Sequence, residues 1–199
     1  ISKWTTAAVT DMISTFNGAT SFNQDLSSWN VAKVTSTCAN FDANAGAAWV
    51  QPKPSLPRSC LRFSLSANLV TILCPNAAVG EKGVVNGAVY TKRDRAGLLA
   101  LVGAANEAEL ATSCTSGVTD MSAMFNGAST FNVNIASWDT SSVLTMKDMF
   151  KGALAFDQDI SKWNTAAVTD MISTFNGATS FNKDLSSWNV ANVGSTCAN

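Results

Sequence analysis

The chain has 199 residues, is 46% apolar and 14% charged, and carries a net charge of −1, a balance that suits a folded protein with a substantial core and gives no electrostatic footing on nucleic acid or an anionic membrane. No apolar run approaches the roughly 20 residues that span a bilayer, and the densest, residues 96–105, reads as a helix. Histidine is absent, which removes the usual general base, the Ser/His and Cys/His nucleophilic pairs and the commonest transition-metal ligand, so any enzyme here would have to rely on carboxylates, Lys or Tyr90, the only tyrosine.

In chain order, residues 1–40 come first, and they return as residues 160–199 with four differences: Thr5/Asn164, Gln24/Lys183, Lys33/Asn192 and Thr35/Gly194. With no initiator Met, this 159-residue offset is expected to mark a window onto a longer tandem array. Phe41 continues the spacing of Phe16, so residues 41–49 read as a degenerate last coil, and residues 51–58 as a Pro-rich extended linker. Residues 60–74 hold two apolar runs around 66–68 and predict a strand pair. Asn86-Gly87 between apolar residues is a strong hairpin signal. Thr91 and Asp94 form a capping box ahead of Leu98, Leu99, Leu101 and Val102, predicting a helix that ends near Gly103; Asn106 and Glu109 predict one more short helix. The boundaries expected are an array end at 1–50, a linker and strand pair at 51–74, a hairpin–helix cap at 75–117 and the next array at 118–199.

From Val118 a period of 25 takes over. Met121, Met146 and Met171 obey it, as do Phe125, Phe150 and Phe175, Gly127, Gly152 and Gly177, Phe131, Phe156 and Phe181, and Trp138, Trp163 and Trp188. Such a period with many fixed apolar positions predicts a solenoid. Residues 26–34 have the L-x-x-L-x-L spacing of a leucine-rich-repeat strand, and Met121, Met124 and Phe125 fall on one face of a short helix that Thr119 or Asp120 can start and Gly127 can end. The fold class expected is therefore α/β: a leucine-rich-repeat-like solenoid with one short strand and one short helix per coil, and a hairpin-plus-helix capping insert. The Trp and Phe positions match buried positions and predict core ladders rather than sugar-stacking platforms. Asp25, Asn134, Asp159 and Asp184 form a ladder near a turn, read as turn capping in preference to calcium binding.

Of the five cysteines, Cys197 repeats Cys38, which leaves four per unit: Cys38, Cys60, Cys74 and Cys114. Four allow two disulfides in three connectivities and an oxidising compartment. The preferred pairs are Cys38–Cys60 and Cys74–Cys114; the rival is Cys60–Cys74 with Cys38–Cys114.

The string VTDMSAMFNGASTFNVNIASWDTSSV (residues 118–143) resembles the BspA-like surface repeat family, a leucine-rich-repeat relative noted in mycoplasma proteins and recurring in bacterial surface proteins and algae. The likeness covers residues 1–40 and 118–199. It implies a secreted or surface-anchored solenoid, often adhesive, with no enzyme activity or cofactor. Val34, Val143 and Val168 depart from ordinary leucine-rich repeats, standing where an asparagine ladder would be. Two functions are expected from this reading. One is a structural module of an extracellular fibre or cell-surface appendage, with copies of itself as partners. The other is an adhesin that binds glycan or protein through a polar stripe of Thr5, Asn30, Asp139, Asn164 and Asn189.

Overall fold

The structure is a computed structural model, and it describes residues 4–34, 38, 41–42, 45, 49–56, 60 and 62–194. Cys197 lies outside the described residues. The chain divides into two compact units, residues 1–64 with 73–92 and residues 65–72 with 93–199.

Among the described residues, regular secondary structure is confined to the insert. Two-residue strands β1 (Ser64–Leu65) and β2 (Ile72–Leu73) flank a turn in which the Ser66 N–H donates to Thr71 O at 2.8 Å. Strands β3 (Lys82–Val85) and β4 (Ala88–Lys92) pair antiparallel, with Val85 opposite Ala88 across Asn86-Gly87. Both turn residues have positive φ, 51° and 80°, as the two-residue hairpin turn with matching twist requires. Gly83 in β3 lies against the Phe63 ring, and a Cβ there would fall 2.2 Å from a ring carbon. Helix α1 (Arg95–Gly103) starts at Asp94, whose carboxylate accepts the Gly97 N–H at 2.8 Å. Thr91 does not share in that cap, because it is spent in β4 opposite Lys82. Helix α2 (Glu107–Ala111) starts at Asn106, which accepts the Glu109 N–H while its amide donates back to the Glu109 carboxylate. Strand β5 is Ser113–Cys114.

The expected α/β leucine-rich-repeat-like solenoid is overturned. The chain has few short strands in two small sheets and two helices, and among the described residues all of them lie between Ser64 and Cys114. Among the described residues, the 25-residue repeats hold no helix and no strand, only turns and the isolated parallel bridges Asp120–Thr145 and Thr145–Asp170.

The backbone of residues 121–128 shows why. A helix requires every N–H to reach back four residues. Here alternate groups leave the repeat instead: the N–H groups of Met121, Ala123, Phe125 and Gly127 donate to the carbonyls of Thr145, Lys147, Met149 and Lys151 in the next repeat. Those between them close four-residue turns, Met124 onto Met121, Asn126 onto Ala123 and Ala128 onto Phe125. Ala123 (φ 52°) and Gly127 (φ 75°) are left-handed, a conformation no right-handed helix contains. The pattern recurs from Met146, with Asp148 at φ 54° and Gly152 at φ 70°. The i, i+3, i+4 apolar spacing thus reflects consecutive turns that each drop a side chain into the core. The expected strand at 26–34 is likewise two turns, Leu26–Trp29 and Val31–Val34.

In the second unit the core runs through the repeats as ladders. Phe125, Phe150 and Phe175 stack at 5.4 Å, Phe131, Phe156 and Phe181 at 5.7 Å, and Trp138, Trp163 and Trp188 at 6.4 Å. Trp138 and Trp163 are fully buried, which makes them core. Each indole donates to a carbonyl 28 residues earlier, Trp163 to Ile135 and Trp188 to Ile160. Helix α2 supplies the same hook at the start of the stack, where Trp138 donates to Leu110 O at 3.0 Å. Buried threonines bridge the other way: Thr115, Thr140 and Thr165 donate to the carbonyls of Asp139, Asn164 and Asn189. The segment from Leu110 to Val118 is therefore a half-repeat, and Leu98, Leu101 and Leu110 close the apolar core above Met121 and Phe125.

In the first unit Met12, Phe16, Leu26 and Trp29 are buried with Phe41, Trp49 and Leu56. The Pro-rich segment packs on the repeat: Pro52 O accepts the Leu26 N–H at 2.8 Å and Leu56 is buried. Cys38 and Cys60 are joined in a disulfide, and Cys74 and Cys114 are disulfide-bonded as well. The rival pairing of Cys60 with Cys74 is not the one formed.

Candidate functional site

The repeat places the same polar side chain at the same turn many times, so any site here is a ladder or a face. The acidic ladder is built on Asx turns. Asp25, Asn134, Asp159 and Asp184 each accept the N–H two residues on, from Ser27, Ala136, Ser161 and Ser186, at 2.8 to 3.0 Å. These bonds, first from the backbone and then from the serine side chain, hold the carboxyls of Asp25, Asp159 and Asp184 below their usual range. Asp157 is lowered by the Lys183 ammonium at 2.7 Å and then by the Asn182 N–H. Burial works to raise Asp120, but hydrogen bonds from Ser122 and the charge of Arg95 more than offset it. The acceptors of this ladder are committed to their own turns, and among the described residues no three His, Cys, Asp or Glu side chains gather closely enough to hold a metal ion.

The polar stripe is dispersed in environment. Thr5, Asn30, Asn164 and Asn189 are exposed, whereas Asp139 is buried. The Oδ1 atoms of Asn30, Asn164 and Asn189 accept the N–H groups of Ala32, Ala166 and Ala191. Asp139 accepts the Ser141 N–H and hydroxyl on one oxygen and the Ser116 hydroxyl on the other at 2.5 Å. Its second oxygen fastens the half-repeat, so this member of the stripe is turned inward.

Two apolar grooves were not expected from sequence. One, of about 480 Å³, is bordered by Met171, Phe175, Leu185, Trp188 and Val190 at the last described repeat. The other, of about 430 Å³, lies between Trp4, Thr5, Val9 and Trp29. Trp4 is 62% exposed and stacks on Trp29 at 5.8 Å. The signal that could have found both is the ladder itself, because a stacked ring with a neighbour on one side only presents its other face.

A family profile described as Mycoplasma protein of unknown function, DUF285, matches residues 1–47 and 99–198, well over half of the chain. The chain belongs to this family. No curated protein and no solved structure matches it. The DUF285 match takes in both repeat regions and helix α2 with its half-repeat, and leaves out residues 48–98, where the Pro-rich segment and the β3–β4 hairpin lie. Among the described residues of this DUF285 chain no helix is long and apolar enough to cross a membrane. Its disulfide bonds fit a non-cytoplasmic protein.

Proposed function

We propose that the chain is a structural, non-enzymatic module of a secreted or cell-surface protein, in which repeats add end to end to build a fibre or surface appendage. The observation that supports this reading most strongly is the set of Phe and Trp ladders at a constant 5.4 to 6.4 Å. A ladder gains one more buried ring with each added repeat, so its stability grows with length, and a single repeat cannot bury enough surface alone. Disulfides suit an oxidising exterior, and the absence of histidine takes away the commonest catalytic base. Protease accessibility on intact cells and electron microscopy of native material test the proposal. Surface exposure and elongated particles with a regular rise are expected; an intracellular location or a hydrolytic activity would contradict it.

A second reading is adhesion to glycan or protein. It is favoured by exposed Trp4 beside Thr5 at an open groove, since sugars stack on indole faces. Binding on a glycan array that is lost in Trp4→Ala would support it, and an array with no hits would count against it.

A further inference from the structure

The duplicated sequence occurs in two environments. In the first copy Met12, Phe16, Leu26, Trp29 and Val31 are all buried, none more than 9% exposed. In the second copy their counterparts Met171, Phe175, Leu185 and Trp188 are half-buried, and Val190 is 54% exposed. Identical side chains thus differ in what lies on them.

Among the described residues, what covers the first copy is Phe41, Trp49 and the run 50–56. The Phe16 ring meets Phe41 edge-on at 5.3 Å and Trp49 at 5.0 Å, and Phe22 meets Trp49 at 4.7 Å. Backbone hooks fix the register: Phe16 N–H to Phe41 O, Leu26 N–H to Pro52 O, and the Val50 and Gln51 N–H groups to the Asn23 amide oxygen. The Trp49 indole donates to Gln24 O at 3.1 Å. Every one of these groups has a counterpart in the second copy, in Phe175, Leu185, Asn182 and the main chain of Lys183. The Gln24/Lys183 difference leaves this contact untouched, because only the carbonyl is used.

We propose that the face formed by Met171, Phe175, Leu185, Trp188 and Val190 is a docking site for a segment with the sequence of residues 41–56, seated as that segment sits on Phe16 and Leu26. The partner's chemistry is an aromatic pair spaced as Phe41 and Trp49, followed by an extended Pro-containing strand with a free carbonyl. Asp42 and Lys53 pair with each other inside the segment, so recognition is apolar and main-chain in kind, with little dependence on salt. The inference extends the end-to-end reading above, whose own test on intact cells is independent of what fills this face.

The experiment titrates a synthetic peptide of residues 41–56 into the 199-residue protein by calorimetry. Saturable one-to-one binding is expected, nearly unchanged between low and high salt. Val190→Glu, on an exposed side chain that folding does not need, lowers affinity at least tenfold, and so does a peptide with Phe41→Ala and Trp49→Ala. No saturable binding up to about 1 mM peptide, the range of weak recognition, overturns the proposal. Binding unaffected by Val190→Glu overturns it too, since the peptide would then be exchanging onto the Phe16 face. So does dimerisation of the protein alone that Val190→Glu abolishes, because the occupant would then be the same face of a second copy.

Discussion

Ala123→Gly separates a stack of turns from a stack of helices by the sign of its effect. Ala123 is exposed and has φ 52°, so no buried side chain is lost on substitution. A non-glycine residue in the left-handed region costs roughly 1–2 kcal/mol. Glycine removes that cost but gives back about 0.5–1 kcal/mol of unfolded-chain entropy. The net expectation is a protein unchanged or stabilised by up to about 1.5 kcal/mol. Were residues 119–128 helical, the same change would destabilise by about 1 kcal/mol. Ala100→Gly in α1, exposed and truly helical, is the control and is expected to cost about 1 kcal/mol. Both sites lie in the second unit, so urea denaturation followed by far-ultraviolet dichroism compares them directly, as midpoint shifts at constant slope. Equal destabilisation by the two substitutions would refute the turn geometry.

Position in the ladder sets the cost of losing a ring: Phe150→Ala, fully buried between Phe125 and Phe175, is expected to lose about 3–5 kcal/mol, and Phe175→Ala, half-buried, clearly less, as read by thermal or urea unfolding. Stability is expected to be level from pH 5 to 8, because no histidine titrates there. The carboxyls of Asp25, Asp157, Asp159 and Asp184 are lowered from 3.8; their contribution is complete above that unfolded value and is lost as pH falls through the lower folded values, so melting points measured below pH 4 should drop progressively. Serine at both Cys38 and Cys60 opens a disulfide with a sequence separation of 22 and is expected to lower the first unit's stability by about 3 kcal/mol on the loop-entropy scale; an unchanged urea midpoint would count against a structural role.

What sequence makes legible here is chemistry that acts locally or repeats. Asn86-Gly87 specifies its hairpin because only certain residues accept two consecutive positive φ values. Asn106 and Glu109 declare a helix start within four residues. The 25-residue spacing of Phe and Trp predicts ladders because side chains at the same turn must meet when repeats stack. The identity of each turn is less legible. An apolar i, i+3, i+4 spacing suits both a helix and a chain of four-residue turns, and what decides is whether the N–H of Phe125 finds a carbonyl in its own repeat or at Met149. That partner is 24 residues away, beyond any local window. Left-handed Ala123 and Ser173 give little warning either, since alanine and serine seldom adopt such a φ.

The polar stripe was legible as a row but not as a surface. Asn30, Asn164 and Asn189 stay exposed while Asp139 turns in. Its neighbour Ser116 belongs to the half-repeat and donates its hydroxyl to the second Asp139 oxygen, while the counterpart Ser141 donates to Asp139 as well and Ala166 and Ala191 have no hydroxyl to offer. The open face at Trp188 follows from stacking geometry, and the duplicate at Trp29 shows what the same residues look like when covered.

The most direct test of the account is the hydrogen-bond partner of a single amide. Through-bond nitrogen–carbonyl couplings across hydrogen bonds, measured by NMR on uniformly labelled protein, report donor and acceptor without reference to packing. The stack of turns predicts couplings from the Phe125 amide to the Met149 carbonyl and from the Phe150 amide to the Thr174 carbonyl. Couplings from those amides to the carbonyls four residues earlier, Met121 and Met146, would restore a helix to each repeat and contradict the account.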